Sequence, residues 1–483
     1  MVALGTATLW STPDFRFKKL SIEMLNRSRP APLNVLLHCV VGEMDIVRFL
    51  CKKVLRKEFS RIAVLDLHLV KNCFLRVFEE VRGIEEFPIL HNLTVFLGDD
   101  DPPRRVLALP HGLFAKSPPL RTLVLHNLDF NRSRSSGLFK NLTALHLSLE
   151  DGFARPLPLE NLLSILEDCR ELQELVLGDI LDDSYPLQIS DIKSIELPHL
   201  RRFDLGSDFL ATASSLCELV SFPNVQLIDL RISMNASMAD DKLRLHRMLE
   251  RVLLSPRPPS RSSSPPSVKF KPPRFVTIEQ YDYYDARGTL SFYPSPNSSH
   301  RYDAPISIYF QRDIPSFYDS VSVLLDVMGS SGLARLEKLL ICARGQEGIP
   351  IDIVVGYFGD LKSLRHLIVQ GNGISARSLM EAIGKEIRDD NDGQNGLRRC
   401  AFEALRTIRF EEDSIPSLSN DQSQIGRRVR IGHVLVGSLR CRKEIMGAVG
   451  IESIVVDGPF ALDPGELEEV GRLVPDSVFR VHS

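Results

Sequence analysis

The chain contains 483 residues, of which 43% are hydrophobic and 25% charged, and its formal net charge is −3. These values are ordinary for a folded globular protein and give no general attraction for nucleic acid or for an anionic membrane. No apolar run approaches the length that spans a bilayer. We therefore expect neither nucleic acid nor a membrane as a partner.

The first ten residues lack both the basic start and the small-residue cleavage pattern of a secretory signal. The eight cysteines are scattered along the sequence. This favours reduced thiols, buried as small hydrophobic side chains, over a disulfide or zinc framework. Both observations predict that the protein resides in the cytoplasm or the nucleus.

Helices and strands are predicted to alternate from the start of the chain. A helix is expected from Lys18 to Asn26, and the alternating apolar residues Leu33, Val35 and Leu37 predict the first strand. Helical spacing over residues 46–54 then precedes the next strand. The same order of helix and strand continues along most of the sequence.

A leucine-rich triplet recurs in these strands, and its clearest copy is Leu120, Leu123 and Leu125. The other copies keep the same spacing, the last two more weakly: Leu142, Leu145, Leu147; Leu172, Leu175, Leu177; Leu200, Phe203, Leu205; Val225, Ile228, Leu230; Leu336, Leu339, Ile341; Leu364, Leu367, Val369; Leu405, Ile408, Phe410; Ile451, Ile454, Val456. Leading residues lie 22, 30, 28 and 25 positions apart from 120 to 225, and 28 apart from 336 to 364. This predicts an α/β leucine-rich repeat solenoid with irregular repeats, curved, with parallel strands on the concave face and helices outside.

The composition changes between residues 255 and 273 to proline, serine and basic residues. Such a segment buries too little apolar surface to fold, so we predict a disordered insert. Ser255 and Ser264 each precede a proline and fit proline-directed phosphorylation, although an unregulated insert is the simpler interpretation. Whether either serine is phosphorylated is open.

Two further segments follow the insert. Strand-like pieces within residues 274–317 predict either irregular repeats or a hairpin. Asp463 followed by Pro464 predicts the start of a last helix, which we interpret as a C-terminal cap.

The N-terminal sequence resembles that of a known family. Leu9-Trp10-Ser11 is followed by the predicted helix and then by the turn Ser28-Arg29-Pro30-Ala31-Pro32-Leu33 before the first strand. This order resembles the F-box and leucine-rich repeat proteins of the mushroom lineage of fungi. The resemblance implies a substrate-recognition subunit of an SCF-type ubiquitin ligase. Because most of the F-box would precede Met1, we expect the Skp adaptor to bind only if an F-box lies upstream.

We therefore divide the chain into four predicted parts. Residues 1–30 are the end of an F-box with its connecting helix, and residues 31–254 are the first part of the solenoid. Residues 255–273 are the disordered insert. Residues 274–483 are the second part of the solenoid with its C-terminal cap.

A glycine-rich turn suggests a competing function. Residues 371–376 read Gly-Asn-Gly-Ile-Ser-Ala between a predicted strand and a predicted helix, as in dinucleotide-binding turns. However, Asn372 and Ile374 also continue the leucine-rich pattern, so we favour a repeat turn. A nucleotide-binding enzyme that uses the Gly371 turn stays a less favoured alternative.

Two charged segments are interpreted as surface features. The acidic loop 389–393 resembles a calcium-binding loop, but Arg388 and Arg399 occupy positions where that loop needs carboxylates. A basic region near the C-terminus predicts a solvated face or a patch for an acidic protein. It contains Arg427, Arg428, Arg430, Arg440, Arg442 and Lys443.

The function predicted from these observations is that of a non-enzymatic scaffold that binds a protein. We expect no catalytic residue, cofactor or metal site. The predicted partner-binding residues lie one position after or before the buried leucines, along the concave strand face: Val124, His146, Val176, Asp204, Asp229, Leu340, Ile368 and Arg409. By the resemblance, the bound protein would be a ubiquitylation target. The alternative is a leucine-rich repeat interaction or sensor protein without a ligase.

Overall fold

A computed structural model of the chain describes residues 6–39, 44–81, 84, 87–98, 107–109, 118–129, 138–150, 156–182, 194–207, 209–233, 239–253, 275–281, 287–293, 306–311, 317–343, 350–371, 373–388, 398–411, 432–447, 449–457 and 462–480. The chain divides into two compact units. Unit 1 is Met1–Leu227, and unit 2 is Ile228–Ser483.

Unit 1 alternates helices with strands. Its helices are α1 (Lys18–Arg27), α2 (Met44–Leu50), α3 (Lys71–Val81), α4 (Leu159–Glu167) and α5 (Leu210–Leu219). Its strands are β1 (Leu33–Cys39), β2 (Ile62–Leu69), β3 (Asn92–Leu97), β4 (Thr122–His126), β5 (Ala144–Ser148), β6 (Glu174–Gly178), β7 (Ile195–Glu196), β8 (Arg202–Ser207) and β9 (Val220–Ser221). A π-helical turn at Cys51–Leu55 continues α2, and 3-10 turns lie at Ala7–Trp10 and Phe59–Arg61.

The main sheet of unit 1 is parallel, in the order β1-β2-β3-β4-β5-β6-β8. Equivalent leucines of the triplets are direct neighbours across it: Leu65, Leu93, Leu123, Leu145, Leu175 and Phe203. All six side chains are at most 3% exposed. Each buried leucine side chain contributes roughly 1.5–3 kcal/mol, so the recurring triplet is first of all a packing requirement.

Unit 2 contains helices α6 (Ala239–Leu253), α7 (Phe317–Leu333), α8 (Ile351–Phe358), α9 (Gly373–Ile383), α10 (Gly432–Met446) and α11 (Pro464–Leu473). Gly329 interrupts α7 with a non-helical backbone. The strands are β10 (Leu227–Ser233), β11 (Phe275–Tyr281), β12 (Arg287–Tyr293), β13 (Ile306–Gln311), β14 (Lys338–Ala343), β15 (His366–Gly371), β16 (Glu386–Arg388), β17 (Arg398–Cys400), β18 (Thr407–Glu411), β19 (Ser453–Asp457) and β20 (Val478–Arg480).

The main sheet of unit 2 mixes strand directions, in the order β10-β13-β12-β11-β14-β15-β18-β19-β20. β12 is antiparallel to both β11 and β13, whereas the other neighbours are parallel. Of the two predictions for residues 274–317, the hairpin is therefore confirmed in extended form, as three antiparallel strands that enter the sheet in reverse order.

The last helix begins where it was predicted, after Asp463 and at Pro464. The Asp463 carboxylate accepts the backbone N–H of Glu466, and the Glu466 carboxylate accepts the backbone N–H of Asp463, each at 2.8 Å. Pro464 occupies the first turn of α11, where its missing N–H costs nothing. The strand β20 that follows this helix was not predicted.

The fold is α/β with a mostly parallel sheet, an arrangement compatible with a repeat solenoid. Among the predicted parts, the insert at 255–273 lies outside the described residues. The acidic loop 389–393 and Arg427, Arg428 and Arg430 also lie outside them.

Candidate functional site

The side chains that alternate with the buried leucines form a second face on the main sheet of unit 1. We call this surface the strand face of unit 1; it comprises the face opposite the leucines on β1 to β6 and β8. Its middle row runs in register across seven strands: Leu36, Asp66, Thr94, Val124, His146, Val176 and Asp204.

Four predicted partner-binding residues thus come together on neighbouring strands: Val124, His146, Val176 and Asp204. Asp204 differs from the prediction because its side chain is only 4% exposed. Its carboxylate lies 3.9 Å from the guanidinium of Arg202. Asp204 therefore supplies charge beneath the surface rather than a contact point on it.

The other four predicted residues lie in unit 2. Leu340, Ile368 and Arg409 are direct neighbours across β14, β15 and β18, and Val455 on β19 continues their row. Asp229 is paired with Ser307 on β13, and β12 and β11 follow before β14 in the sheet order. Asp229 and Leu340 are therefore not on neighbouring strands, because the three antiparallel strands lie between them.

A row of stacked rings crosses the strand face of unit 1 beside its middle row. The ring centroids lie 4.1 Å apart for His38 and His68, 5.1 Å for His68 and Phe96, and 4.0 Å for Phe96 and His126. Interplanar angles are between 8° and 17°. Neighbouring strands are about 4.8 Å apart, so planar side chains at equivalent positions of parallel strands stack with little adjustment. We call these four residues the ring stack.

Carboxylates contact the imidazoles of this face. His68 Nε2 lies 3.2 Å from Asp66 Oδ1, and His126 Nε2 lies 3.2 Å from Glu150 Oε1. The second ring nitrogen of His126 is 2.6 Å from the Ser148 hydroxyl. These contacts fix the orientation of the rings on the sheet.

A second charged group lies in the adjoining strands. His146 Nε2 is 3.2 Å from Glu174 Oε1, and the same carboxylate oxygen accepts a hydrogen bond of 2.9 Å from Arg202. Glu174 therefore lies between the ring of His146 and the guanidinium of Arg202 on the strand face.

Burial keeps these histidines uncharged at neutral pH. Desolvation lowers the pKa of His68, His126 and His146 below the ordinary 6.5, and the neighbouring carboxylates Asp66, Glu150 and Glu174 offset this only in part. For His146, the guanidinium of Arg202 lowers the pKa further.

The sequence analysis placed His146 on the outward side of its strand but missed His38, His68 and Phe96. The signal was present, since all three follow buried leucines or valines at alternate positions of predicted strands. What the sequence alone did not provide was the register that brings these rings into one stack.

Other candidate sites have weaker support. Among the described residues, no three His, Cys, Asp or Glu side chains are arranged to hold a metal ion. Of the seven cysteines whose side-chain burial is described, six are buried, as predicted, and Cys441 is partly exposed. Burial raises the pKa of Cys51 and of Cys169 to about 12, so these thiols stay protonated and unreactive at neutral pH.

The predicted basic region is only partly a surface. Arg440 is exposed and lies 3.2 Å from Glu469, and Lys443 is also exposed. Arg442 is fully buried, because its guanidinium bonds to backbone carbonyls. The prediction of a basic surface patch that includes Arg442 is therefore wrong.

The Gly371 turn has the local context expected of a nucleotide site. β15 ends at Gly371 and α9 begins at Gly373. Asn372 lies outside the described residues, so the contacts of the turn itself are not described.

Comparison with known proteins gives no assignment: neither a model of a protein family nor a curated protein matches the chain. Within the part of the chain that the structure describes, no helix combines the length and the apolar character needed to cross a membrane.

Proposed function

We propose that the protein is a non-enzymatic scaffold, built as a leucine-rich repeat solenoid, that binds another protein on the strand face of unit 1. The observation that carries this proposal is the in-register arrangement of exposed and partly exposed side chains on the six adjacent strands β1 to β6, while the alternate side chains are buried and apolar. A face of this kind presents apolar, aromatic and charged groups side by side, which is the composition that protein interfaces use.

A charge placed in the middle of this face tests the proposal. Val124→Arg adds a guanidinium at the centre of the middle row, and Leu75→Arg adds the same group on helix α3, where Leu75 is 48% exposed. Affinity purification followed by mass spectrometry is expected to lose its specific partners with V124R and to keep them with L75R. Circular dichroism checks that both variants fold. If V124R retains every partner, the strand face is not the docking surface.

The ligase role extends this proposal and draws on the resemblance of the N-terminal residues. The N-terminal segment exposes Leu9, Phe17, Leu20 and Ile22, at 61%, 58%, 47% and 43%. An apolar surface of this kind favours contact with another folded element, and F-box helices would provide one. The substrate captured on the strand face would then be a ubiquitylation target.

A pull-down with the Skp adaptor tests the ligase role separately. The expected result is capture of the adaptor by a chain that carries an upstream F-box, and none by residues 1–483 alone. If neither chain captures the adaptor, the ligase role is removed while the scaffold is unaffected, and the protein is then an interaction or sensor protein without a ligase.

The nucleotide-binding alternative retains one supporting observation, the strand, glycine turn and helix at residues 366–383. Titration of NAD or ATP into the purified protein separates it from the scaffold. A bound nucleotide stabilises the folded state and raises Tm. We expect no shift, and a saturable shift that Gly371→Val abolishes would favour the enzyme.

A further inference from the structure

The strand face of unit 1 carries an excess of negative charge. Its ionised groups are the carboxylates of Asp66, Glu174 and Asp204 and the guanidinium of Arg202, and the carboxylate of Glu150 adjoins the face two residues after β5. The imidazoles of His68, His126 and His146 add no charge at neutral pH, since burial lowers their pKa below the ordinary value. A partner segment that meets this face is therefore favoured if it is basic.

One hydrogen-bond acceptor beneath the same face has no donor in the part of the chain that the structure describes. Asn92 lies on β3, in the row next to Asp66, and its side-chain oxygen is buried without a donor among the described residues. A buried acceptor without a partner costs about 1–3 kcal/mol, so a donor brought by a ligand is favoured there. Lysine, arginine and backbone N–H groups all supply donors.

We infer that the strand face of unit 1 binds a basic, extended segment of its partner protein and releases that segment when the imidazoles of the face are protonated. This inference rests on the scaffold function proposed above. It adds the chemical class of the partner and a condition for release.

Protonation changes the charge of the face because imidazoles are spread across it. His68 faces Asp66 on its own strand, the His38 ring on β1 and the Phe96 ring on β3. A proton on the His68 ring would neutralise the negative charge of Asp66, which lies 3.2 Å away, so acid opposes a bound cation at this position.

The remaining histidines have carboxylate neighbours on adjoining strands. His126 faces Phe96 on β3, and Ser148 and Glu150 at the end of β5. A proton on this ring would neutralise the negative charge of Glu150. Acid therefore removes the attraction for a basic segment at this position.

His146 faces Glu174 on β6, and Arg202 and Asp204 on β8. A proton on its ring would leave Glu174 between two cations. The same loss of negative charge thus extends to the far strands of the face.

Short fluorescent peptides that alternate serine with lysine, glutamine or glutamate provide the probe. Fluorescence polarisation at pH 7.5 is expected to rank the lysine peptide first and the glutamate peptide last. At pH 5.5 the affinity for the lysine peptide is expected to fall by about tenfold. The reason is that protonated imidazoles neutralise the carboxylates of the face that attract the lysine side chains. Lysine stays charged at both values, so the change reports on the protein.

Two pairs of substitutions locate the effect. Asp66→Asn with Glu174→Gln is expected to reduce the preference for lysine over glutamine peptides, whereas Glu79→Gln on helix α3, 71% exposed, leaves it unchanged. His68→Phe with His126→Phe keeps aromatic rings in the stack but takes up no protons. In this variant the ratio of affinities at the two pH values is expected to fall from about tenfold to about threefold, because His146 still takes up a proton.

Several results would overturn the inference. These are equal binding of the three peptides, a preference for glutamate, and an unchanged pH ratio in the double phenylalanine variant. If V124R abolishes capture of natural partners while the peptides bind without regard to charge, the scaffold stands and this inference fails. If V124R abolishes nothing, the proposed function fails as well.

Discussion

Arg442 is fully buried, although the nearby basic residues Arg440 and Lys443 are exposed. Its Nε donates to the carbonyl of Val449 at 2.7 Å, and Nη1 donates to that of Ala401 at 2.9 Å. Nη2 donates to the carbonyls of Phe402 and Glu403 at 2.7 and 3.1 Å. One side chain thus joins helix α10 to two segments of backbone that precede β18 and β19.

Removal of this guanidinium is predicted to destabilise the protein strongly. Arg442→Met leaves buried carbonyls without donors, and each such group costs about 1–3 kcal/mol, so we expect a loss of about 3 kcal/mol or more in the free energy of unfolding, measured with urea. Arg440→Met, at an exposed position two residues earlier, is the control and should change stability little. Equal effects of the two substitutions would contradict the structural role of Arg442.

Asn127 links adjacent turns at the carboxyl ends of the strands. The side chain is 1% exposed, and its Nδ2 donates to the carbonyl of Leu97 at 2.9 Å. Its Oδ1 accepts the backbone N–H of Glu150 at 2.8 Å. The backbone has a φ of 60°, in the left-handed region that asparagine tolerates better than most residues.

Comparison with Asn141 separates the two contributions of Asn127. Asn141 has a φ of 61° but an exposed side chain. Asn127→Ala is expected to lower the free energy of unfolding by about 2 kcal/mol more than Asn141→Ala, because only Asn127 makes buried hydrogen bonds with neighbouring turns. Equal losses in thermal or urea denaturation would assign the effect to backbone conformation alone.

At the scale of elements, Gly384 allows helices α9 and α10 to pack closely, whereas Gly437 on α10 has open space around it. A Cβ on Gly384, which directly follows α9, would lie 2.8 Å from Ser438 Cα on α10. The obstacle is backbone, so it does not move aside easily. Gly437 is next to Ser438 on α10, yet a Cβ there would meet no atom within 4 Å.

Alanine is therefore predicted to have opposite effects at the two positions. Gly384→Ala should lower the free energy of unfolding by about 1–3 kcal/mol through overpacking. Gly437→Ala should raise it by about 0.5–1 kcal/mol, because alanine is the better helix former. Thermal unfolding of both variants checks the pair, and effects of the same sign would show that the α9–α10 contact is less tight than described.

At the scale of the whole molecule, the buried histidines predict that stability depends on pH. His68, His126 and His146 have a lower pKa in the folded state than the ordinary 6.5, so the unfolded chain binds protons first as pH falls. Their contribution is thus fully present above about pH 6.5 and is lost progressively below it, down to the folded-state pKa. Urea denaturation at pH 7.5, 6.5 and 5.5 measures this loss, and the double variant H68F/H126F should reduce it. Stability that rises on acidification of this range would contradict the assignment.

The candidate site shows where sequence reasoning reaches its limit. Strict alternation around Leu123, Leu145 and Leu175 placed Val124, His146 and Val176 on one face, and their register across β4, β5 and β6 confirms this placement. Alternation also holds at Asp229, since Ile228 and Leu230 on either side are buried, but its neighbour in the sheet is supplied by β13 and not by the next leucine-rich strand.

The sequence by itself determined the alternation of strands and helices, the buried leucine of each strand and the capped start of α11. These features depend on contacts between residues close in the chain, so the periodicity of side chains records them. Only the tertiary structure decided the reversed order of β13, β12 and β11, the burial of Arg442 and the ring stack of His38, His68, Phe96 and His126. Each of these features includes contacts between residues that are about 30 or more positions apart in the sequence. Such contacts depend on the register and order of whole strands, which no local sequence pattern specifies.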